Sequence, residues 1–209
     1  MNLHLAVLLV AVAGLLWSEF RGRAGARAVF KLSASSVFLA EGLSRGLMDT
    51  PPGSWVLAGL VGCFLGDVAL LSRRRLAFLG GLGAFLLGHL AFAVAFGLRG
   101  PSWLVTGALL VVLLLPARAV HRWLMPHVEA AMRAPVLAYM TVITVMVALA
   151  VGVTARTHTW LLAGGAVAFY ISDLAVARDR FIEENPVNHL WGAPAYFLGV
   201  WLMAHAFPL

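Results

Sequence analysis

A single cysteine, Cys63, in 209 residues excludes an intramolecular disulfide. With no second thiol or nearby histidine in its apolar stretch, it fits packing better than nucleophilic or metal chemistry. Charge is also scarce: 11% of residues are Asp, Glu, Lys or Arg against 62% hydrophobic, with a mean hydropathy of +0.92. Soluble domains carry about 25% charged residues, so this chain cannot clothe itself for water. There is no Gly-x-Ser-x-Gly elbow, Walker loop or dinucleotide fingerprint. No two histidines have the i, i+3 or i, i+4 spacing of a helical metal site. Phosphoryl transfer and redox cofactors therefore have no support, and no metal is called for.

What remains is apolar sequence in helical lengths. Hydropathy resolves about eight spans: Leu3 to Trp17, Val29 to Leu47, Ser54 to Leu71, Leu76 to Leu98, Trp103 to Val120, Ala134 to Val153, Trp160 to Ala177 and His189 to Phe207. None alternates with the period of two that a membrane β-barrel requires. The second span is the weakest, interrupted by Lys31, serines, Glu41 and Arg45. Connections are short, so neighbouring helices run antiparallel and nothing is left for a soluble domain. The expectation is an all-α polytopic membrane bundle of about eight helices, forming one domain over residues 1–209. Ala11-Val12-Ala13 imitates a signal-peptide cleavage site, but no Lys or Arg precedes that span and cleavage would leave an odd helix count. The first span is expected to stay.

Twelve of the fifteen basic residues fall on one side of this alternation, leaving Arg45, Arg99 and Arg156 on the other. Because cytoplasmic loops retain positive charge, both termini are expected outside the cytoplasm, in a cell-membrane protein. The net charge of +6 is the same bias in bulk, suited to anionic lipid headgroups, and gives no reason to invoke nucleic acid. Six of the seven tryptophans, such as Trp17, Trp103 and Trp160, lie near span ends, where the headgroup layer favours them.

Two stretches read as one pattern written twice: AGLVGCFLGDVALLSRRR from Ala58 and GGAVAFYISDLAVARDRF from Gly164. Each sets a small residue before an aspartate, Gly66-Asp67 and Ser172-Asp173, and runs on into arginines. The offset of 106 residues between the aspartates makes the third and seventh spans equivalent and parallel, as in a four-plus-four repeat. His89 and Tyr196 match within one residue under the same offset.

Ionisable groups inside a bilayer are expensive and mark function by default. At about 1.5 Å rise per residue, Asp67 and Asp173 lie about 6 to 8 Å from the basic side, with Tyr139, Lys31 and Tyr196 within reach of one pocket. By the same rise Glu41 and His89 lie roughly 20 Å in, a second layer forming an acid–base pair or simply hydrogen-bonding each other. The structural alternative for the aspartates is a tie to Arg74 or Arg178. For Lys31 it is snorkelling; for His89, Tyr139 and Tyr196, bonded packing; for His189, a place at the interface.

Four motifs in this order, GDVALL at Gly66, FLLGHLAF around His89, PVLAYMTVI at Pro135 and FYISDLAVARDRF at Phe169, resemble the YhhN-like integral membrane proteins, which include the lysoplasmalogenases. The resemblance covers nearly the whole chain and implies that Asp67, His89, Tyr139, Ser172 and Asp173 belong to the family's polar core. The usual Lys-Pro of the second span stands here as Lys31-Leu32, and the glutamine expected after the tyrosine of the last span is replaced near Val200.

The resemblance implies hydrolysis of the alkenyl ether of a lysophospholipid substrate to a fatty aldehyde and glycerophospho-ethanolamine or -choline. Vinyl ethers cleave by protonation at the carbon distal to oxygen, addition of water to the oxocarbenium ion and collapse of the hemiacetal. One neutral acid and one carboxylate suffice, as in glycosidases, and Asp67 and Asp173 are the catalytic candidates in either order. Lys31, with Arg73 or Arg74, is the candidate for the lipid phosphate; Glu41, His89, Tyr139, Ser172 and Tyr196 complete the expected substrate-binding set. Two other classes stay open: a small transporter or lipid-binding protein using paired acids, and a metal-dependent lipid amidase.

Overall fold

The structure, a computed structural model, describes residues 3–72 and 74–207. Eight long helices follow in order: α1 Leu3–Phe20, α2 Ala24–Ser44, α3 Pro51–Ala69, α4 Arg75–Leu98, α5 Trp103–Leu124, α6 Ala130–Thr157, α7 Trp160–Phe181 and α8 Pro186–Ala206. Single 3-10 turns at Leu47–Asp49 and Met125–His127 complete the described secondary structure, which contains no strand. The starts of α3 and α8 are set locally. Proline occupies the first turn of each, and the side chains of Thr50 and Asn185 accept from the backbone N–H of Gly53 and Val187.

Six helices are long and apolar enough to cross a membrane by length and composition, all but α2 and α8. Large apolar side chains cover the outside of the bundle, among them Leu9 and Val10 on α1, and above all Leu104 and Leu115 on α5, 84% and 75% exposed. Such a surface is covered by lipid, and the protein is a multi-pass membrane bundle. Between helices in lipid, packing and hydrogen bonds replace the hydrophobic effect as the glue. Small residues accordingly sit where backbones approach most closely. A Cβ on Gly62 of α3 would fall 2.9 Å from the Cα of Gly88 on α4, and one on Gly165 of α7 would fall 2.7 Å from the carbonyl oxygen of Gly199 on α8. The pairs α3/α4 and α7/α8 are thus locked in the same way. Fully buried Phe38, Phe92, Phe169 and Phe197 fill the space among them.

Several helices outrun their apolar stretches. The second begins at Ala24 rather than Val29, and the seventh continues to Phe181 rather than Ala177, because a helix does not end where the hydrocarbon does. Asp173 is therefore eight residues from the end of its helix, whereas Asp67 is two from the end of α3.

Candidate functional site

A cavity of about 700 Å³ opens at the basic end of the bundle, a size suited to a lipid or drug-sized ligand. Asp67, Asp173, Lys31, Tyr139, Ser172 and Tyr196 all line it. Asp67, 1% exposed, is surrounded by donors: Ser35 Oγ donates to Oδ2 at 2.6 Å, the Tyr196 hydroxyl donates to the same oxygen at 2.7 Å, and Lys31 Nζ lies 3.2 Å from Oδ1. Asp173 accepts from the Tyr139 hydroxyl at 2.9 Å, and His89 Nε2 stands 3.4 Å from the same Oδ2.

The His89 ring is fixed by its other nitrogen, whose N–H donates to the Phe85 carbonyl at 2.6 Å. Nε2 is then left facing the carboxylate, buried and without a hydrogen bond among the described residues. His89 Nε2 and Asp173 Oδ2 thus face each other at 3.4 Å beside the Tyr139 hydroxyl. Phe169 packs between this pair and the other aspartate's tyrosine, its ring 4.4 Å from His89 and 5.3 Å from Tyr196.

The two donor sets follow the repeat. Asp67 on α3 is reached from α2, the preceding helix of its own half, and from α8, the last helix of the other half. Asp173 on α7 is reached from α6 and from α4, the corresponding helices. His89 and Tyr196, matched by the sequence offset, occupy the matched places.

The structure redraws the deeper layer. His89 belongs with Asp173, and Glu41 is not beside it. Side chains on a helix lean toward its N-terminus, so His89 on α4 leans toward the basic end while Asp173 on the antiparallel α7 leans inward, and the two converge despite unequal depths along the chain. Glu41 instead sits in a separate cluster at the opposite end of the bundle, with His4 Nδ1 on Oε2 and His205 Nδ1 on Oε1, each at 2.6 Å, and Arg45 Nε on Oε1 at 3.0 Å. It does not line the cavity.

Lys31 lines the cavity and pairs with Asp67 at 3.2 Å. Arg74 does not line the cavity, and Arg73 lies outside the described residues. Arg178 bonds Asn188 and Glu183 and touches neither aspartate. Ser172 spends its proton on the Phe169 carbonyl at 2.7 Å. Cys63 is buried packing in α3.

Sequence reasoning passes over Ser35, although it lies four residues from Lys31 on one helix face. It also passes over the cavity mouth, where Glu19, Arg27, Asp179 and His189 gather from α1, α2, α7 and α8. Val120 and Leu174 line both the cavity and a shallow groove on the outer face of the bundle, bordered by Trp123, Arg178 and Trp191. Among the described residues, no three of His, Cys, Asp and Glu are grouped to hold a metal ion.

The YhhN family model matches residues 26–207. The chain belongs to the YhhN family. It is 31% identical over 172 residues to a Bos taurus protein named lysoplasmalogenase TMEM86A, covering 79% of this chain and 70% of that one. It is 33% identical over 150 residues to lysoplasmalogenase TMEM86B of Rattus norvegicus, covering 70% and 60%. It is 31% identical over 177 residues to a lysoplasmalogenase of Mycobacterium bovis, covering 80% and 65%. No solved structure matches the chain.

Proposed function

We propose that this YhhN protein is a membrane-embedded lysoplasmalogenase, hydrolysing the vinyl ether of a lysophospholipid with Asp173 as general acid and Asp67 as the ionised partner. The names of its relatives support the activity. The observation that carries the division of labour is the unequal dressing of two carboxylates in one cavity. Asp67 accepts from an ammonium and two hydroxyls, surroundings that suit a carboxylate. Asp173 accepts from one hydroxyl, Tyr139, and has the His89 ring nitrogen 3.4 Å away rather than an ammonium, surroundings that suit the protonated partner.

In this scheme the Asp173–His89 pair delivers its proton to the alkenyl carbon distal to oxygen. The developing oxocarbenium ion is stabilised by Asp67, which then takes a proton from the water that adds to it. As the hemiacetal collapses, Asp67 returns its proton to the leaving oxygen while the hemiacetal hydroxyl gives its proton to the Asp173–His89 pair; the carbon–oxygen bond breaks, releasing fatty aldehyde and the glycerophospho-alcohol. One water is consumed and the acid recovers its proton. The alkenyl chain lies among the apolar side chains of the cavity wall, with the groove at Val120 and Leu174 as its route from the bilayer. Following the charge bias, the cavity opens to the cytoplasmic leaflet of the cell membrane and both termini lie outside. A cytoplasm-restricted reporter at the C-terminus that becomes active overturns that orientation.

The test is aldehyde release by purified protein in detergent from lysoplasmalogen and from its ester analogue. Release from the vinyl ether alone is expected. A folded protein that releases no aldehyde overturns the reading and favours a lipid-binding or transport role.

A further inference from the structure

Lys31 and Arg27 line the cavity and each stands against a carboxylate, Lys31 Nζ 3.2 Å from Asp67 and Arg27 Nη1 3.6 Å from Glu19. Arg180 lines it too, from the last turn of α7, yet among the described residues no carboxylate pairs with it. Its partner is a ring. The guanidinium carbon lies 4.2 Å from the ring centre of Phe78 on α4. Phe78 is itself fixed, edge-on to Phe181 at 6.2 Å and packed on the buried cluster of Leu124, Met132 and Val136.

A guanidinium laid on an aromatic face has its plane covered and its N–H edge free. That edge presents paired donors at the spacing of two phosphate oxygens, which a lysine stacked in the same place could not do. The position along α7 adds a second constraint. Arg180 is seven residues beyond Asp173, so the two share one helix face, about 20° apart in azimuth and about 10 Å apart along the axis. Both line the cavity. In a lysoplasmalogen, seven bonds separate the alkenyl carbon that takes the proton from the phosphorus, and at the advance of an extended chain they span about 8 Å. The acid and the guanidinium are thus set apart by roughly the length of the substrate between its reacting carbon and its phosphate.

We propose that Arg180, stacked on Phe78, binds the phosphate of the lysolipid and fixes its distance from Asp173, so that a vinyl ether is cleaved only at the matching distance from the phosphate. This rests on the reading of the cavity as a lysoplasmalogenase site with Asp173 as its acid. The phosphate is held near the end of α7, the glycerol backbone lies along that helix, and the ether comes to rest at the Asp173 carboxyl. Binding energy from a group that does not react is spent on placing the one that does.

Two measurements on the full-length protein in neutral detergent test this, and the first needs no turnover. A saturated alkyl-ether lysophosphocholine and its methyl phosphotriester share chain and headgroup, but the triester has lost the anionic oxygen. By titration calorimetry the wild type should bind the diester at least about tenfold more tightly, as hydrogen bonds to a charged group require. Arg180→Gln should cut that ratio to about twofold, and Arg180→Lys, which keeps the charge but not the fork, should fall between. Arg180 is exposed, so these variants are expected to fold, and their melting temperatures check it. An unchanged ratio in folded Arg180→Gln overturns the phosphate contact whether or not aldehyde is released.

The second measurement reads distance. Alkenyl ethers of propane-1,3-diol and butane-1,4-diol carrying the same phosphocholine differ by one methylene between ether and phosphate. The wild type should accept both with KM within about twofold but turn over the longer one with kcat lowered at least about tenfold, since a misplacement of about 1 Å costs that much. Arg180→Gln should raise KM for both and shrink the kcat gap to about twofold. Equal kcat values in the wild type overturn the distance reading, and a gap that persists in folded Arg180→Gln overturns Arg180 as its source. Absence of aldehyde from every substrate overturns the catalytic reading and the distance reading with it, while the phosphate contact stands or falls on the calorimetry.

Discussion

The Tyr196 hydroxyl on α8 donates to Asp67 Oδ2 on α3 at 2.7 Å, joining residues 129 positions apart across the two halves of the chain. The ring itself is held by packing, edge-on to Phe85 at 5.8 Å and against Phe169. Tyr196→Phe therefore removes one hydrogen bond to a charged acceptor, worth about 1.5–3 kcal/mol, while leaving the packing in place. A fall in kcat of about tenfold or more is expected in a protein that still folds, with the melting temperature lowered by the loss of that one bond; full activity would show that the hydroxyl does not serve the carboxylate during turnover.

Asp67→Asn and Asp173→Asn keep side-chain size but end proton exchange. Each should lower kcat by at least about 10²-fold, the usual loss for a general acid or base. Because the pair acts as a unit, the double variant should be little worse than the poorer single one. Aldehyde release by folded variants decides it, and near-normal turnover in either would reduce that aspartate to a structural tie.

Lys31 and Asp67 should show strong coupling in stability. Lys31→Met strands a carboxylate that is 1% exposed, and breaking a buried pair costs about 3–5 kcal/mol. Combining it with Asp67→Asn removes the stranded charge and should recover most of the loss. The check is a thermal double-mutant cycle in detergent; additive losses would mean that the 3.2 Å pair contributes nothing.

Glu41 should matter for stability and not for catalysis. Its cluster ties α1, α2 and α8 at the far end of the bundle, so Glu41→Gln should lower the melting temperature while kcat stays within about twofold. That stability loss, about 1–3 kcal/mol, is typical of a buried polar group left short of partners. A hundredfold fall in kcat with normal stability would bring Glu41 back into the chemistry.

Exhaustive chelation should leave turnover largely intact, since the proposed proton transfers use side chains alone. Metal analysis of the purified protein before and after treatment gives the comparison. Stoichiometric zinc whose removal abolishes activity would point to the amidase-like alternative.

Much of this is legible in sequence because a bilayer imposes simple rules. Helix number, the antiparallel order and the convergence of Asp67 and Asp173 on one cavity follow from hydropathy and the repeat. Azimuth does not. A count of residues gives the height of Glu41 and His89 but not the direction either faces, and it ignores the lean of each side chain toward its own N-terminus, which brings His89 to Asp173. Ser35 reads as an interruption of a weak span because a donor to a buried carboxylate and a polar blemish have the same hydropathy. The mouth is invisible in one dimension because Glu19, Asp179 and His189 meet only when α1, α7 and α8 are assembled.

The exchange of last helices between halves, α4 serving Asp173 and α8 serving Asp67, has a consequence for how the chain can be divided. Neither four-helix half carries a complete set of partners for either acid, so severing the chain between α4 and α5 would leave two fragments that must find each other before either aspartate is properly held. Were the halves identical, that interlock would give both acids the same neighbours and the same charge. The places where the halves have diverged, a lysine and a serine on α2 against a tyrosine on α6, and a histidine on α4 against a tyrosine on α8, are where one carboxylic acid becomes chemically distinct from its twin.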